Sequence, residues 1–300
     1  MRVAVTGATG FIGRELCAAL LRDGHTVVAL TRDPRRAQAA LPGALVANWG
    51  DPAAALPPVD GVVNLAGESV AGRWSEEKKR RLRESRIAGT RRLVEAIASA
   101  VERPTVLVSA SAVGYYGDRG EETLTEASGP GRDFLAQLCQ EWEAEAQSAE
   151  ALGLRVARLR LGVVLDRDGG ALSQMLTLFR LGAGGPLGSG RQWFPWVHRA
   201  DVVGLFRFAL ETAEASGPIN AVAPHLVRNS EFARALGQAL HRPALAPAPA
   251  FALRLVLGEF AETLLGSQRV LPERAEALCY AFRFPQLAPA LRAILGPPGG

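Results

Sequence analysis

The chain is 300 residues long, with 48% hydrophobic and 21% charged residues and a formal net charge of +4. So much apolar material excludes disorder and fibrous repeats, and suffices for one large domain or one domain carrying a smaller one. No apolar run approaches the ~18 residues of a membrane span, Cys17, Cys139 and Cys279 lack the spacing of a disulfide framework or zinc site, and the basic excess, almost all arginine, is scattered along the chain.

In chain order, an apolar run from Arg2 to Thr6 predicts the first strand. It leaves no room for a signal peptide, so the expected compartment is the cytoplasm. Directly after it, Gly7, Gly10 and Gly13 stand three residues apart at the start of a helical pattern. Gly7 permits a tight turn, Gly10 lets backbone approach a pyrophosphate and Gly13 lets the helix pack on the sheet, while the helix N-terminus offers N–H donors to the anion. Gly7, Thr9, Gly10, Phe11, Ile12 and Gly13 are therefore the expected phosphate-binding residues of a dinucleotide site.

The second strand, Thr26 to Thr31, ends in Thr31-Arg32-Asp33. An acid there would hold the adenosine ribose, the pattern of NAD binding. Arg32, with Arg35 or Arg36 behind it, would instead pair with a 2′-phosphate, and a charge-assisted hydrogen bond of about 1.5 to 3 kcal/mol favours NADP by roughly 10 to 100-fold. NADP(H) is the preferred cofactor, with Arg32 its discriminating residue and Asp33 on a ribose as the alternative.

Further strands are predicted at Leu45 to Ala47, Gly61 to Leu65, Thr105 to Ser109 and Arg155 to Leu159. A basic helix runs from about Ser75 to Ala100, and a ladder of Phe134, Leu138, Trp142 and Ala146 predicts a helix closed by Gly153. Strands alternating with helices predict a doubly wound α/β fold on a parallel Rossmann sheet. Leu65, Ala66 and Gly67 would run past the cofactor, with Glu68 toward the cleft as a candidate acid or a solvated carboxylate. Ser109 and Ser111 would stand at the sheet edge where such folds bind ligands, one of them facing the nicotinamide unless they merely end the strand. Gly162 and Val163 would present backbone after the sixth strand.

Beyond Leu165 the alternation stops. A Gly-rich segment, Leu181 to Gly190, predicts an adaptable loop leading to Trp193, Trp196 and His198, the side chain best suited to titrate near neutrality, although a histidine beside two tryptophans is more often a packed structural residue. A helix at Asp201 to Thr212, a strand at Ile219 to Val222, a Pro-rich connection through Pro243, Pro247 and Pro249, a last helical segment and a frayed tail from Gly296 to Gly300 complete the reading. Residues 1–165, rejoined by 198–222, form the expected cofactor domain; residues 166–197 and 223–300 form a smaller substrate-side region.

Thr6 to Gly13, Asn64-Leu65-Ala66-Gly67 and Ser109 through Tyr115-Tyr116-Gly117 resemble the extended short-chain dehydrogenase/reductases. Ser85 to Thr90, Gly182 to Gln192, Trp196-Val197-His198 and the stretch from Gly258-Glu259 to Ser267-Gln268-Arg269-Val270 are similar to the atypical, epimerase-like subfamily that ends in a C-terminal domain of unknown function. The resemblance implies a sheet of roughly seven strands and a Tyr-x-x-x-Lys pair on the helix after the serine-bearing strand. That helix carries Phe134 and Leu138 at about those places, and neither exchanges a proton. The expected function is an NADP(H)-binding oxidoreductase or epimerase-like protein acting on a small molecule, with proton transfer reassigned to Ser111, Tyr115, His198 or water. The alternative is a non-catalytic NADP(H)-binding sensor or scaffold, and a true nucleotide-sugar epimerase is disfavoured by the missing tyrosine. Neither nucleic acid nor membrane is an expected partner, and a homo-oligomer is left open.

Overall fold

The computed structural model describes residues 1–51 and 53–296. Seven strands form one parallel sheet in the order β10-β7-β5-β4-β1-β2-β3. They are β1 (Arg2–Thr6), β2 (Thr26–Thr31), β3 (Leu45–Asn48), β4 (Gly61–Asn64), β5 (Val106–Ala112), β7 (Arg155–Leu161) and β10 (Gly217–Ala221). Strands buried on both faces read as unbroken apolar runs because alternate side chains enter different cores. In β1, Val3 and Val5 join the core beneath α1 (Phe11–Arg22) and α7 (Arg199–Glu211), while Ala4 joins the core beneath α4 (Gly89–Ala98) and α5 (Phe134–Gln147). The strand order reverses between β1 and β4, which opens a crevice at their C-terminal ends.

Four local expectations are corrected. The fifth strand continues past the expected end at Ser109 to Ala112, with Ser111 at its C-terminal end as expected. The basic helix is two helices, α3 (Glu76–Arg83) and α4, joined by a wide π-type turn, Glu84–Ala88. The α5 helix ends at Gln147, and Gly153, with φ of 87°, closes a separate 3₁₀ turn, Ser148–Leu152. The Gly-rich loop is pinned rather than mobile: Leu187 N donates to Asn229 Oδ1, Gly188 N to the Ala248 carbonyl, and buried Gln192 to the carbonyls of Leu187 and Leu264.

Two small parallel pairs lie outside the main sheet: β8 (Val163–Asp166) with β9 (Trp196–His198), and β6 (Thr123–Leu124) with β11 (Arg269–Val270). The helices α6 (Gly170–Arg180), α8 (Asn229–Ala239) and α12 (Leu287–Leu295) share an apolar core of their own. The short helices α2 (Pro34–Ala40), α9 (Ala250–Leu257), α10 (Phe260–Leu265) and α11 (Glu273–Ala277) complete the elements. Of the expected tail, residues 297–300 lie outside the described residues. Among the described residues no helix is long and apolar enough to cross a membrane.

Candidate functional site

A cleft of about 610 Å³ opens over the C-terminal ends of β1, β2 and β4. Its wall brings together Gly7, Thr9, Gly10, Thr31, Arg32, Leu65, Ala66 and Gly67, eight of the residues read from sequence as cofactor-binding. Gly7 has φ of +66°, and a Cβ there would sit 2.7 Å from the Leu65 carbonyl. A Cβ on Gly13 would sit 2.2 Å from the Gly7 oxygen. The turn is thus closed against both the next strand's loop and its own helix, as a phosphate loop must be. Gly10 begins α1 without a side-chain cap, and the helix has no acid in its first turn. Its leading N–H groups remain free to meet an anion. Phe11 and Ile12 start that helix, and a Cβ on Gly169 would lie 2.5 Å from the Phe11 ring.

The Asn64 side chain ties the floor together. It accepts from Thr6 Oγ1 at 2.7 Å and donates to Thr90 Oγ1 at 2.8 Å and Ser109 Oγ at 3.2 Å. Thr6 Oγ1 in turn receives the N–H groups of Leu65 and Ala66. Three adjacent strand ends are locked at the level where a ligand would lie.

Asp33 accepts a hydrogen bond from Arg36 N through Oδ1 and caps α2, and it is not among the residues that line the cleft. Arg32 stands exposed on the cleft wall. Other charges there are already paired: Glu68 with Lys78 at 2.7 Å, Arg81 with Glu77 at 2.7 Å, and Glu84 with Arg80 at 3.6 Å. Lys78 holds Glu68 below the usual carboxylate range, which removes it as a proton donor at neutral pH. Trp49, just past β3, also lines the cleft with the Arg92 guanidinium 4.6 Å over its ring. Neither was singled out from sequence; an aromatic directly after a strand of the binding edge was the available signal.

The other expected residues form a second cluster, on the β5 and β7 side. Buried Ser111 donates to Glu143 Oε1 at 2.7 Å. Arg160, on β7, makes a bidentate pair with the same carboxylate at 2.8 and 2.9 Å and donates to Tyr116 Oη at 3.0 Å. Tyr116 Oη in turn donates to Asn220 Oδ1 at 2.7 Å, and burial, opposed by Arg160, pushes its pKa up to about 12. Tyr115 differs. Its ring lies 3.5 Å beneath the Arg160 guanidinium, yet among the described residues its hydroxyl has no hydrogen-bond partner. Glu143 and Arg160 escaped the sequence reading because charged side chains are so rarely fully buried.

Ser109 is held by Asn64, Gly162 N donates to the Ala221 carbonyl, and Val163 N donates to the Pro195 carbonyl at 2.7 Å. For His198 the packed alternative holds rather than titration near neutrality. Its ring is stacked on Phe284 with centroids 3.9 Å apart, and its Nδ1 accepts from Ala200 N to cap α7. Burial lowers its pKa to about 4, so the imidazole is neutral at physiological pH.

Residues 3–222 match the NAD dependent epimerase/dehydratase family. The chain belongs to that family. Residues 248–294 match a domain of unknown function, DUF1731, the expected C-terminal domain of the epimerase-like subfamily. The chain is 45% identical to the chloroplastic epimerase family protein SDR39U1 homolog of Arabidopsis thaliana, covering 98% of this chain and 87% of that one. It is 38% identical to the epimerase family protein YfhF of Bacillus subtilis, over 98% of both. The crystal structure of human epimerase family protein SDR39U1 with NADPH superposes with a TM-score of 0.91 at 39% identity, over 98% of this chain and 99% of that one.

Proposed function

We propose that this family member is an NADP(H)-binding oxidoreductase or epimerase-like enzyme acting on a small molecule. The observation that carries the reading is the pairing of the uncapped phosphate turn at Gly10 with Arg32 on the cleft wall, which Asp33 does not line. The relative of known structure whose complex contains NADPH supports it. Bound there, NADP(H) would supply or accept a hydride. Gly7, Thr9, Gly10, Phe11, Ile12 and Gly13 would hold the pyrophosphate, Thr31 and Arg32 the adenosine end with its 2′-phosphate, and Leu65 to Gly67 the span between. Ser109, Gly162 and Val163 would flank the nicotinamide. Residues 1–165 with 198–222 would form the cofactor domain, and residues 166–197 and 223–300 the substrate side.

For proton transfer, Tyr115 is the residue this reading favours. The α5 helix contains neither Tyr nor Lys, Ser111 is committed to Glu143, and His198 is neutral and stacked. The second reading, a non-catalytic NADP(H) sensor, draws support from the same two engagements, which leave little titratable chemistry beside the nicotinamide end. Titration with NADPH and NADH tests the cofactor assignment common to both readings. Wild type is expected to prefer NADPH, and Arg32→Ala to weaken it by roughly 10 to 100-fold with little effect on NADH. Equal affinity for the two dinucleotides refutes the role of Arg32.

A further inference from the structure

Arg86 lies in the wide turn between α3 and α4. Its guanidinium is wedged between the backbone of Gly67, where a Cβ would lie 3.1 Å from Cζ, and the indole of Trp142, 5.1 Å from the ring centroid. Among the described residues it forms no ion pair and donates no hydrogen bond, and Nη1 is wholly buried. The nearby acid, Glu68, is taken by Lys78. Burial disfavours the charge, but a guanidinium stays protonated in proteins. The fold therefore carries a cation whose buried Nη1 has no acceptor among the described residues, an arrangement that costs stability unless a ligand offsets it.

Its position in the sheet identifies which part of a ligand it meets. Strand order runs β2, β1, β4, β5, so a dinucleotide with its 2′-phosphate at Arg32, just past β2, and its pyrophosphate at Gly10, in the turn after β1, crosses the β4 loop before reaching β5. Gly67 belongs to that loop. Thr90 and Trp142 are hydrogen-bonded at 3.0 Å, and one helical turn nearer the cleft from each are Arg86 and Leu138. Arg86 thus brings a permanent charge to the level where α5 presents only leucine.

We propose that Arg86 binds the hydroxyls of the nicotinamide-side ribose, supplying from the α3–α4 turn the cation that α5 lacks. The inference rests on the NADP(H) reading above. Its test compares NADPH with 2′,5′-ADP, which contains only the adenosine half, in Arg86→Met and Arg86→Lys. The methionine variant keeps the contact with Trp142 without the charge. It is expected to bind NADPH at least about tenfold more weakly, to bind 2′,5′-ADP as wild type does, and to melt at the same or a higher temperature. The lysine variant is expected to recover most of the lost NADPH affinity.

Four results overturn the proposal: unchanged NADPH binding in the methionine variant, parallel loss of both ligands, a lysine variant no better than methionine, or a methionine variant that melts earlier or fails to fold. A wild type that binds neither ligand brings down the cofactor reading itself, and this inference with it.

Discussion

Removing Glu143 tests the buried network directly. Its carboxylate is 6% exposed and its partner Arg160 is 4% exposed, so solvent does not screen the pair. Glu143→Leu strands the Arg160 charge, deprives Ser111 of its acceptor, and takes away two guanidinium bonds. Breaking a buried pair from one side costs about 3 to 5 kcal/mol. At roughly 2 °C per kcal/mol for a chain of this size, the melting temperature falls by about 6 to 10 °C. Arg160→Met alone leaves the opposite charge stranded and costs a similar amount. The double variant Glu143→Leu/Arg160→Met buries no charge, and the methionine still covers the Tyr115 ring. It is expected to lie within about 2 kcal/mol of wild type, the residual loss coming from the Ser111 and Tyr116 hydroxyls. Urea denaturation of all four proteins closes the cycle. Additive single losses in the double variant, or a single loss below about 1 kcal/mol, would show that the pair is not isolated from water and refute the reasoning.

Gly13→Ala forces a Cβ to 2.2 Å from the Gly7 oxygen, so it is expected to abolish dinucleotide binding and cost at least about 1 to 3 kcal/mol of stability, read by calorimetry and thermal melting. Tyr116→Phe loses bonds to Arg160 and Asn220 and is expected to cost about 1 to 3 kcal/mol. Tyr115→Phe is expected to melt as wild type does and bind NADPH normally, yet to lower turnover of any substrate by roughly 10² to 10⁴-fold; a large stability loss would assign Tyr115 a structural task instead. His198 binds its proton less readily folded than unfolded, so its contribution is fully present above the ordinary histidine pKa of 6.5 and is lost as pH falls toward about 4, amounting to about 3 kcal/mol in all. His198→Asn retains a helix cap and is expected to flatten the fall in urea stability over that pH range; an unchanged slope contradicts the burial argument.

The parts of this fold that were legible in sequence are those whose cause is local. Val3, Ala4 and Val5 read as a strand covered on both faces because each face has its own core. The phosphate turn was legible because its glycines meet backbone within a few residues, Gly13 against Gly7 above all. Where the reading failed, the deciding partner is remote. Ser111 stands at the strand end as its sequence suggests, but its buried partner Glu143 lies 32 residues away on α5. The glycines of the 182–190 segment suggest mobility, whereas Gly185 is small for contact, since a Cβ there would meet the Ala246 oxygen at 2.2 Å. Which reading of His198 applies, titratable or packed, is decided by Phe284, far along the chain and stacked on its ring.

The same reasoning applies to charge near the C-terminal ends of β4, β5 and β7. A tyrosine and a lysine four residues apart on one helix can be found by spacing, because one helical turn brings them together. In this chain the charges come from separate elements. Arg160 stands on β7 over the Tyr115 ring, Arg86 stands in the α3–α4 turn against Gly67, and Glu143 on α5 contributes an acid to the first of them. Each alone reads as one more surface charge in an arginine-rich sequence, because the sheet that gathers them is absent from any local window. Phe134 and Leu138 therefore establish that α5 has no cation to offer at those positions; whether the cleft has one is decided by the neighbouring turn and strand.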